Sequence, residues 1–167
     1  ACGSGILVSA LDTEMSDPDA QDMTFATDNF EAGLLIGRWA KETMGDSAKD
    51  AIIGMLNINK DKISVDVQRD TGFLVGFGIE VPNLKVLGSE TDSRVIGHET
   101  SQANPEGGVK AVENLLAKNP DMNVVYTINE PAAEGAYQAL KKAGKEKGVL
   151  IVSVDGGCPG IASVKSG

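Results

Sequence analysis

The sequence contains few of the residues that build metal sites and nucleophilic centres. It has one histidine, His98, and two cysteines, Cys2 and Cys158. A single histidine does not supply paired metal ligands, and no recognisable serine or cysteine motif accompanies it. The two cysteines are either free thiols or one bridge, and a bridge requires that both ends meet in space. The sequence thus indicates no metal centre, no catalytic dyad and no disulfide framework.

Long hydrophobic runs and positive charge are also lacking. No apolar run approaches the ~18 residues of a transmembrane helix, and the opening residues ACGSG lack the charged start and apolar segment of a signal peptide. The net charge of −9 and a pI near 4.6 oppose binding to nucleic acid or to an anionic membrane face. We therefore expect no nucleic-acid partner and no direct membrane insertion. Aromatic residues, at 4%, leave few rings to stack on a base or sugar.

Strand-like and helix-like segments alternate along the chain. Continuous apolar runs predict buried strands over 5–11, 51–58, 123–128 and 148–154, and shorter strands are expected over 23–27 and 84–88. Helical spacing begins at residues 28, 65, 105 and 131, whereas the polar segment 89–104 shows no clear period. This alternation predicts an α/β protein with a parallel sheet.

Polar side chains stand at the ends of the predicted strands. In chain order they are Asp12, Asp28, Asn57, Asn129 and Asp155. Parallel strands place their carboxyl ends on one edge, where such sheets bind ligands. Asp28 also has capping-box spacing to Glu31, which favours a helix cap or hinge, and the others could serve only local turns. Their shared edge favours a ligand site.

Arg69 lies in the first half of a predicted helix close to that edge. A guanidinium beside carboxylates suits hydroxyl-rich ligands, because aspartate accepts from hydroxyl groups while arginine donates to oxygen atoms. The alternative is an ordinary solvated arginine. Neither Gly72-x-x-x-Gly76-x-Gly78, inside a predicted helix, nor the turn that begins at Asp155 is a nucleotide fingerprint. A Rossmann-type enzyme is therefore not favoured, and no cofactor is expected.

Several motifs, in this order, resemble a known family. They read ILVSALDT, FATDNFEAGLLIGRWA, QRDTGFLVGF, VVYTINEPAAEGAYQALKKAG and VLIVSVDG. The chain resembles, over nearly its whole length, the type I periplasmic sugar-binding proteins of ABC transporters, in the ribose- and fructose-binding group. The strings TINEPAA and SVDGGCP are most similar to fructose-binding members.

The resemblance implies a three-layer αβα fold and a division of the chain. Residues 1–28 would be the last strands of a first lobe, 29–157 a Rossmann-like second lobe, and 158–167 the start of a truncated helix. The first strand lacks a preceding helix, and the final helix would stop after barely two turns. We therefore expect the chain to be a fragment, without the first-lobe aromatics and the last polar ligand that would complete a closing site.

The resemblance also implies roles for four residues. Asp12 would hold sugar hydroxyls from the first lobe, and the second lobe would contribute Arg69, Asn129 and Asp155. Asp28 and Asn29 would mark a crossing between the lobes. Weaker candidates for sugar selectivity lie in the polar segment, namely Glu90, Asp92, Arg94 and His98.

The implied function is binding rather than catalysis. The protein would hold a monosaccharide between two lobes and present it to a membrane permease, either in the periplasm or anchored outside the cell as a lipoprotein. It would not be an enzyme. The alternative is the effector-binding domain of a lac-repressor-type transcription factor, which shares the fold. An upstream helix-turn-helix would favour the repressor, and an upstream signal sequence would favour the receptor.

Overall fold

The structure is a computed structural model that describes residues 4–61 and 63–167. The strands are β1 (Ser9–Leu11), β2 (Met23–Phe25), β3 (Ile53–Asn57), β4 (Val95–Thr100), β5 (Val124–Thr127) and β6 (Leu150–Ser153). The α-helices are α1 (Asn29–Met44), α2 (Ser64–Phe77), α3 (Pro105–Lys118), α4 (Glu130–Lys142) and α5 (Cys158–Ser166). Two short 3-10 helices, Pro18–Ala20 and Gly45–Asp50, lie in the connections. The predicted alternation of strands and helices is confirmed.

Four parallel strands form the central sheet in the order β4-β3-β5-β6. Helices α1 and α2 cover one face, where Phe73 stacks on Tyr126 with ring centroids 4.6 Å apart. Helices α3 and α4 cover the other face, where Val112, Leu115 and Leu140 are fully buried. The arrangement is the predicted three-layer αβα fold. It puts the carboxyl ends of all four strands on one edge.

Capping residues in the sequence lie at several helix ends in the structure. The carboxylate of Asp28 accepts a hydrogen bond from the Glu31 amide at 2.9 Å, as its capping spacing predicts. Asn104 caps α3 through the Gly107 amide at 2.8 Å, and Gly144 adopts a left-handed φ of 69° just after α4. No helix among the described residues combines the length and hydrophobicity needed to cross a bilayer.

Strands β1 and β2 form a separate parallel pair, with Leu11 beside Phe25. The predicted buried strand over 5–11 is wrong in both extent and burial, because only Ser9–Leu11 is strand and Leu11 and Phe25 are exposed. Within β1, Ala10 is buried, whereas Ser9 and Leu11, which point to the opposite face, are exposed. The proposed division of the chain at residues 28 and 157 stays a prediction.

The predicted position of the fourth strand, residues 84–88, is wrong. No strand forms over 84–88, and β4 lies instead within the polar segment that showed no period. The strand is at the sheet edge, and its register slips where Ile53 pairs with Val95 and Gly54 with Gly97. An irregular, half-buried edge strand lacks the apolar run or clean alternation that identifies a strand from sequence.

Helices α1 and α2 pack closely against each other at glycine residues. A Cβ on Gly33 would overlap the carbonyl group of Arg69, and a Cβ on Gly72 would overlap that of Phe30. Gly37 and Gly76 make equivalent contacts one turn farther along. Gly72 and Gly76 of α2 therefore contact the backbone of α1. This crossing holds α1 directly against the helical turn that carries Arg69.

Candidate ligand-binding site

Arg69 is the centre of the site at the carboxyl edge of the sheet. It is 8% exposed, and its Nε donates to Asn29 Oδ1 at 2.7 Å. Its Nη1 donates to the Ile128 carbonyl at 3.0 Å and to Asp155 Oδ1 at 3.1 Å, while Nη2 lies 3.8 Å from Asp12 Oδ1. Contacts from four segments of the chain thus fix one guanidinium group.

The two aspartates beside Arg69 have an unusual backbone. Asp12 has a φ of 67° and Asp155 a φ of 91°, a region that costs a residue other than glycine roughly 1–3 kcal/mol. Their side chains remain 56% and 40% exposed. Each carboxylate thus touches the arginine and still offers oxygen atoms to solvent. Such strain clusters at ligand sites, which agrees with the ligand-binding role predicted for both residues.

Asn129 lies next to this group without a direct contact to Arg69 in the hydrogen bonds of the described residues. Its Oδ1 accepts from the Ala132 amide at 3.2 Å and so caps α4, and its Nδ2 donates to the Ala103 carbonyl at 3.4 Å. The carbonyl of the preceding residue, Ile128, binds Arg69. The structure therefore brings Asp12, Arg69 and Asp155 together and puts Asn129 at their edge, and its ligand role stays a prediction.

Asn29 is a site residue that the sequence reasoning named only as part of a lobe crossing. Its side chain is 2% exposed, and it orients Arg69 by accepting from Nε. A signal was present in the sequence. Asn29, Gly33, Gly37 and Ala40 follow helical spacing and form the buried face of α1. A polar residue on that face needs a buried partner, and Arg69 is that partner.

A second polar group, the His98 cluster, consists of Asn57, Asp70, Glu90 and His98. His98 Nδ1 lies 3.3 Å from Asp70 Oδ2, and Nε2 lies 2.7 Å from Glu90 Oε1. Asn57 Nδ2 donates to Asp70 Oδ2 at 2.9 Å. Burial alone would lower the pKa of His98, but the two carboxylates outweigh burial and raise this pKa to about 10. The imidazole therefore carries a positive charge at neutral pH.

The His98 cluster helps to hold α2 in place. Asp70 follows Arg69 directly and is fully buried, and Asp66, one turn earlier, accepts hydrogen bonds from the Ile58 and Asn59 amides. Burial raises the pKa of Asp66 despite these hydrogen bonds. Two carboxylates thus anchor one side of α2 to the end of β3. This anchoring helps to keep Arg69, the neighbour of Asp70, in contact with Asp155.

The selectivity candidates in the polar segment separate into two pairs. Asp92 Oδ2 binds Arg94 Nη2 at 2.7 Å, and Arg94 donates to the Ala48 and Gly78 carbonyls at the amino end of the sheet. This pair lies at the opposite edge from Arg69, so the structure does not bring it to the site. Glu90 and His98 instead bind each other. The possible Cys2–Cys158 bridge falls partly outside the described residues, and Cys158 is exposed.

Replacing His98 with glutamine should change the pH dependence of stability. The pKa of His98 is about 10 in the folded protein, against 6.5 for the free side chain. Its stabilising contribution is therefore complete below pH 6.5 and is lost as the pH rises through 10. Urea unfolding should show a wild-type free energy that falls, relative to His98→Gln, by up to about 1.4 kcal/mol per pH unit in this window. A constant difference between the two proteins would contradict this account.

Comparison with known proteins identifies the family. A profile of the family described as periplasmic binding protein domain matches residues 1–167. The chain belongs to this family. The predicted resemblance to periplasmic sugar-binding proteins is confirmed, and the likeness to fructose-binding members stays a prediction.

Among curated relatives of this periplasmic binding protein domain, the ribose import binding protein of Haemophilus influenzae is 30% identical over 142 residues. The match covers 85% of this chain and 43% of that protein. The xylitol-binding protein of Mycolicibacterium smegmatis is 34% identical over 84 residues, which are 50% of this chain and 24% of the relative. The chain thus spans less than half the length of these two relatives.

Solved structures give the same result for the fold. A sugar transporter from Clostridium phytofermentans is 27% identical with a TM-score of 0.73, covering 92% of this chain and 51% of that one. A Mycobacterium smegmatis protein in complex with β-D-fucofuranose is 24% identical with a TM-score of 0.78, covering 99% of this chain and 52% of that one. The second likeness is one of fold alone.

Proposed function

We propose that the protein is the solute-binding component of an ABC sugar importer and that it binds a monosaccharide at Arg69. The observation that carries this proposal is the convergence of one buried guanidinium with two half-exposed carboxylates, those of Asp12 and Asp155. Aspartate oxygens can accept hydrogen bonds from adjacent sugar hydroxyls, and Arg69 can donate to ring and hydroxyl oxygens. Asn129 would add an amide at the edge of the same group.

The arrangement favours binding over chemical conversion. Arg69 is held by four partners, which keeps it oriented as a donor. Asp12 follows β1 in the separate strand pair, whereas Asp155 follows β6 of the central sheet. A sugar that contacts both aspartates would join these two parts and favour a closed state. We propose that a permease recognises this closed state and that the protein acts outside the cytoplasmic membrane, in the periplasm or anchored there.

Titration calorimetry of the full-length protein tests the proposal. The panel should contain D-ribose, D-allose, D-fucose, D-fructose and xylitol, and at least one should bind. Asp155→Asn should weaken binding of that ligand about tenfold to a hundredfold, because a charge-assisted hydrogen bond is worth about 1.5–3 kcal/mol. Asp121→Asn is the matched control, since Asp121 is exposed before β5 at the opposite edge of the sheet. Binding of no panel member, or equal loss in both variants, would contradict the proposal.

A further inference from the structure

The segment that carries Asp155 is fastened by a residue outside the group described above. Asp155, Gly156 and Gly157 lie in the connection 154–157 between β6 and α5, and Asp155 has a positive φ of 91°. Arg69 holds the segment through the Asp155 side chain. At its other end, the Gly157 amide donates to Glu130 Oε2 at 3.0 Å. Two side chains, one at each end, therefore fix the segment.

Glu130 is the first residue of α4, and its carboxylate reaches the start of another helix. Gly157 is the N-cap of α5 and has no side chain with which to cap it. Glu130 accepts the hydrogen bond from the Gly157 amide and so puts a negative charge at the positive end of the α5 dipole. The same carboxylate lies in the first turn of α4, where a negative charge is also favourable.

The local sequence leaves space for this carboxylate. A Cβ on Gly157 would lie 2.7 Å from Glu130 Oε2, and a Cβ on Gly160 would overlap Glu130 Oε1. A side chain at either position would push Glu130 away from the α5 N-terminus. Glycine at both positions therefore permits the contact between Glu130 and the Asp155 segment.

We propose that Glu130 is a positioning residue that holds the 155–157 segment so that the Asp155 carboxylate faces the ligand. This inference rests on the proposed function of Asp155 in sugar binding. Asn129 and Glu130 are adjacent, so the start of α4 would support the site twice. Asn129 would contribute its amide at the edge of the ligand site, and Glu130 would fix Asp155 through the Gly157 amide.

Three variants of the full-length protein test this role. Glu130→Ala removes the acceptor, Glu130→Gln keeps an oxygen that can accept from Gly157, and Glu134→Ala is the control one turn later, where the side chain is exposed and contacts Gln138. In the ligand-free proteins, we expect faster hydrogen exchange of the Gly157 amide and a shifted carboxyl carbon signal of Asp155 in Glu130→Ala. Glu134→Ala should leave both unchanged, and Glu130→Gln should restore most of the wild-type behaviour.

Calorimetry with the sugar that the wild type binds gives the second measurement. We expect about tenfold weaker binding in Glu130→Ala, near wild-type binding in Glu130→Gln and no change in Glu134→Ala. If Glu130→Ala loses thermal stability but keeps the Asp155 signal and the sugar affinity, Glu130 only caps α5 and the inference is wrong. If the wild type binds no sugar, the proposed function fails, whereas the Gly157 and Asp155 signals still decide whether Glu130 positions the segment.

Discussion

Replacing Arg69 with alanine should reduce the sugar affinity of the full-length protein by a hundredfold or more. Removing one partner from a buried, hydrogen-bonded charge group costs about 2–5 kcal/mol. The change would also leave Asn29 Oδ1 buried without its donor and would free Asp12 and Asp155 from the group that orients them. Calorimetry with the sugar that the wild type binds measures this effect.

Arg69→Lys tests whether sugar binding needs the planar guanidinium group or only its positive charge. A lysine ammonium is a point charge on a flexible stem, whereas the planar guanidinium reaches Asn29, Ile128 and Asp155 at the same time. We expect Arg69→Lys to recover only a small part of the lost affinity. Arg38→Ala, which removes an exposed arginine of α1, is the matched control and should bind as the wild type does. Wild-type affinity in a folded Arg69→Ala protein would contradict the site.

Gly72→Ala should destabilise the fold by about 3 kcal/mol or more. In an isolated helix this change would stabilise by about 1 kcal/mol, because alanine is the better helix former. Here the added Cβ overlaps the backbone carbonyl of Phe30, which no change of rotamer can relieve. The two helices must therefore separate, and the loss of packing outweighs the gain in helix propensity. Urea unfolding of the variant measures the net effect.

Gly148→Ala is the control for this experiment, because its Cβ would have an exposed position with Lys145 O at 3.8 Å as the nearest atom. Its stability should stay within about 0.5 kcal/mol of the wild type. Separation of α1 from α2 would also move Asn29 away from Arg69, so Gly72→Ala should weaken sugar binding as well. A Gly72→Ala protein that is more stable than the wild type would show that the crossing tolerates a side chain.

The elements that the sequence predicted well have strong local signals. Continuous apolar runs identified β3, β5 and β6, and Asp28, Asn104 and Gly144 lie at helix ends because their chemistry suits those positions. Strand β4 lacked such a signal, since it is an edge strand with a slip in its register. The exposure of β1 depends on which layers surround it, and no local pattern reports that.

Only part of the site could be predicted from the sequence. Asp155 follows β6 of the central sheet, so it could be expected at the carboxyl edge near Arg69. Asp12 follows β1 of the separate strand pair, so the shared-edge argument does not explain its contact with Arg69. No local pattern predicts that Asp12 and Asp155 adopt positive φ values, or that Glu90 and His98 form a partly buried pair. These features depend on contacts between distant segments, such as Asp70 of α2 with His98 of β4.

A crystal structure of the full-length protein with its sugar tests the central claim most directly. We predict that sugar hydroxyl and ring oxygen atoms lie within hydrogen-bond distance of Asp12, Arg69, Asn129 and Asp155 together. A sugar bound at another place, with the guanidinium of Arg69 making no contact to it, would contradict the account.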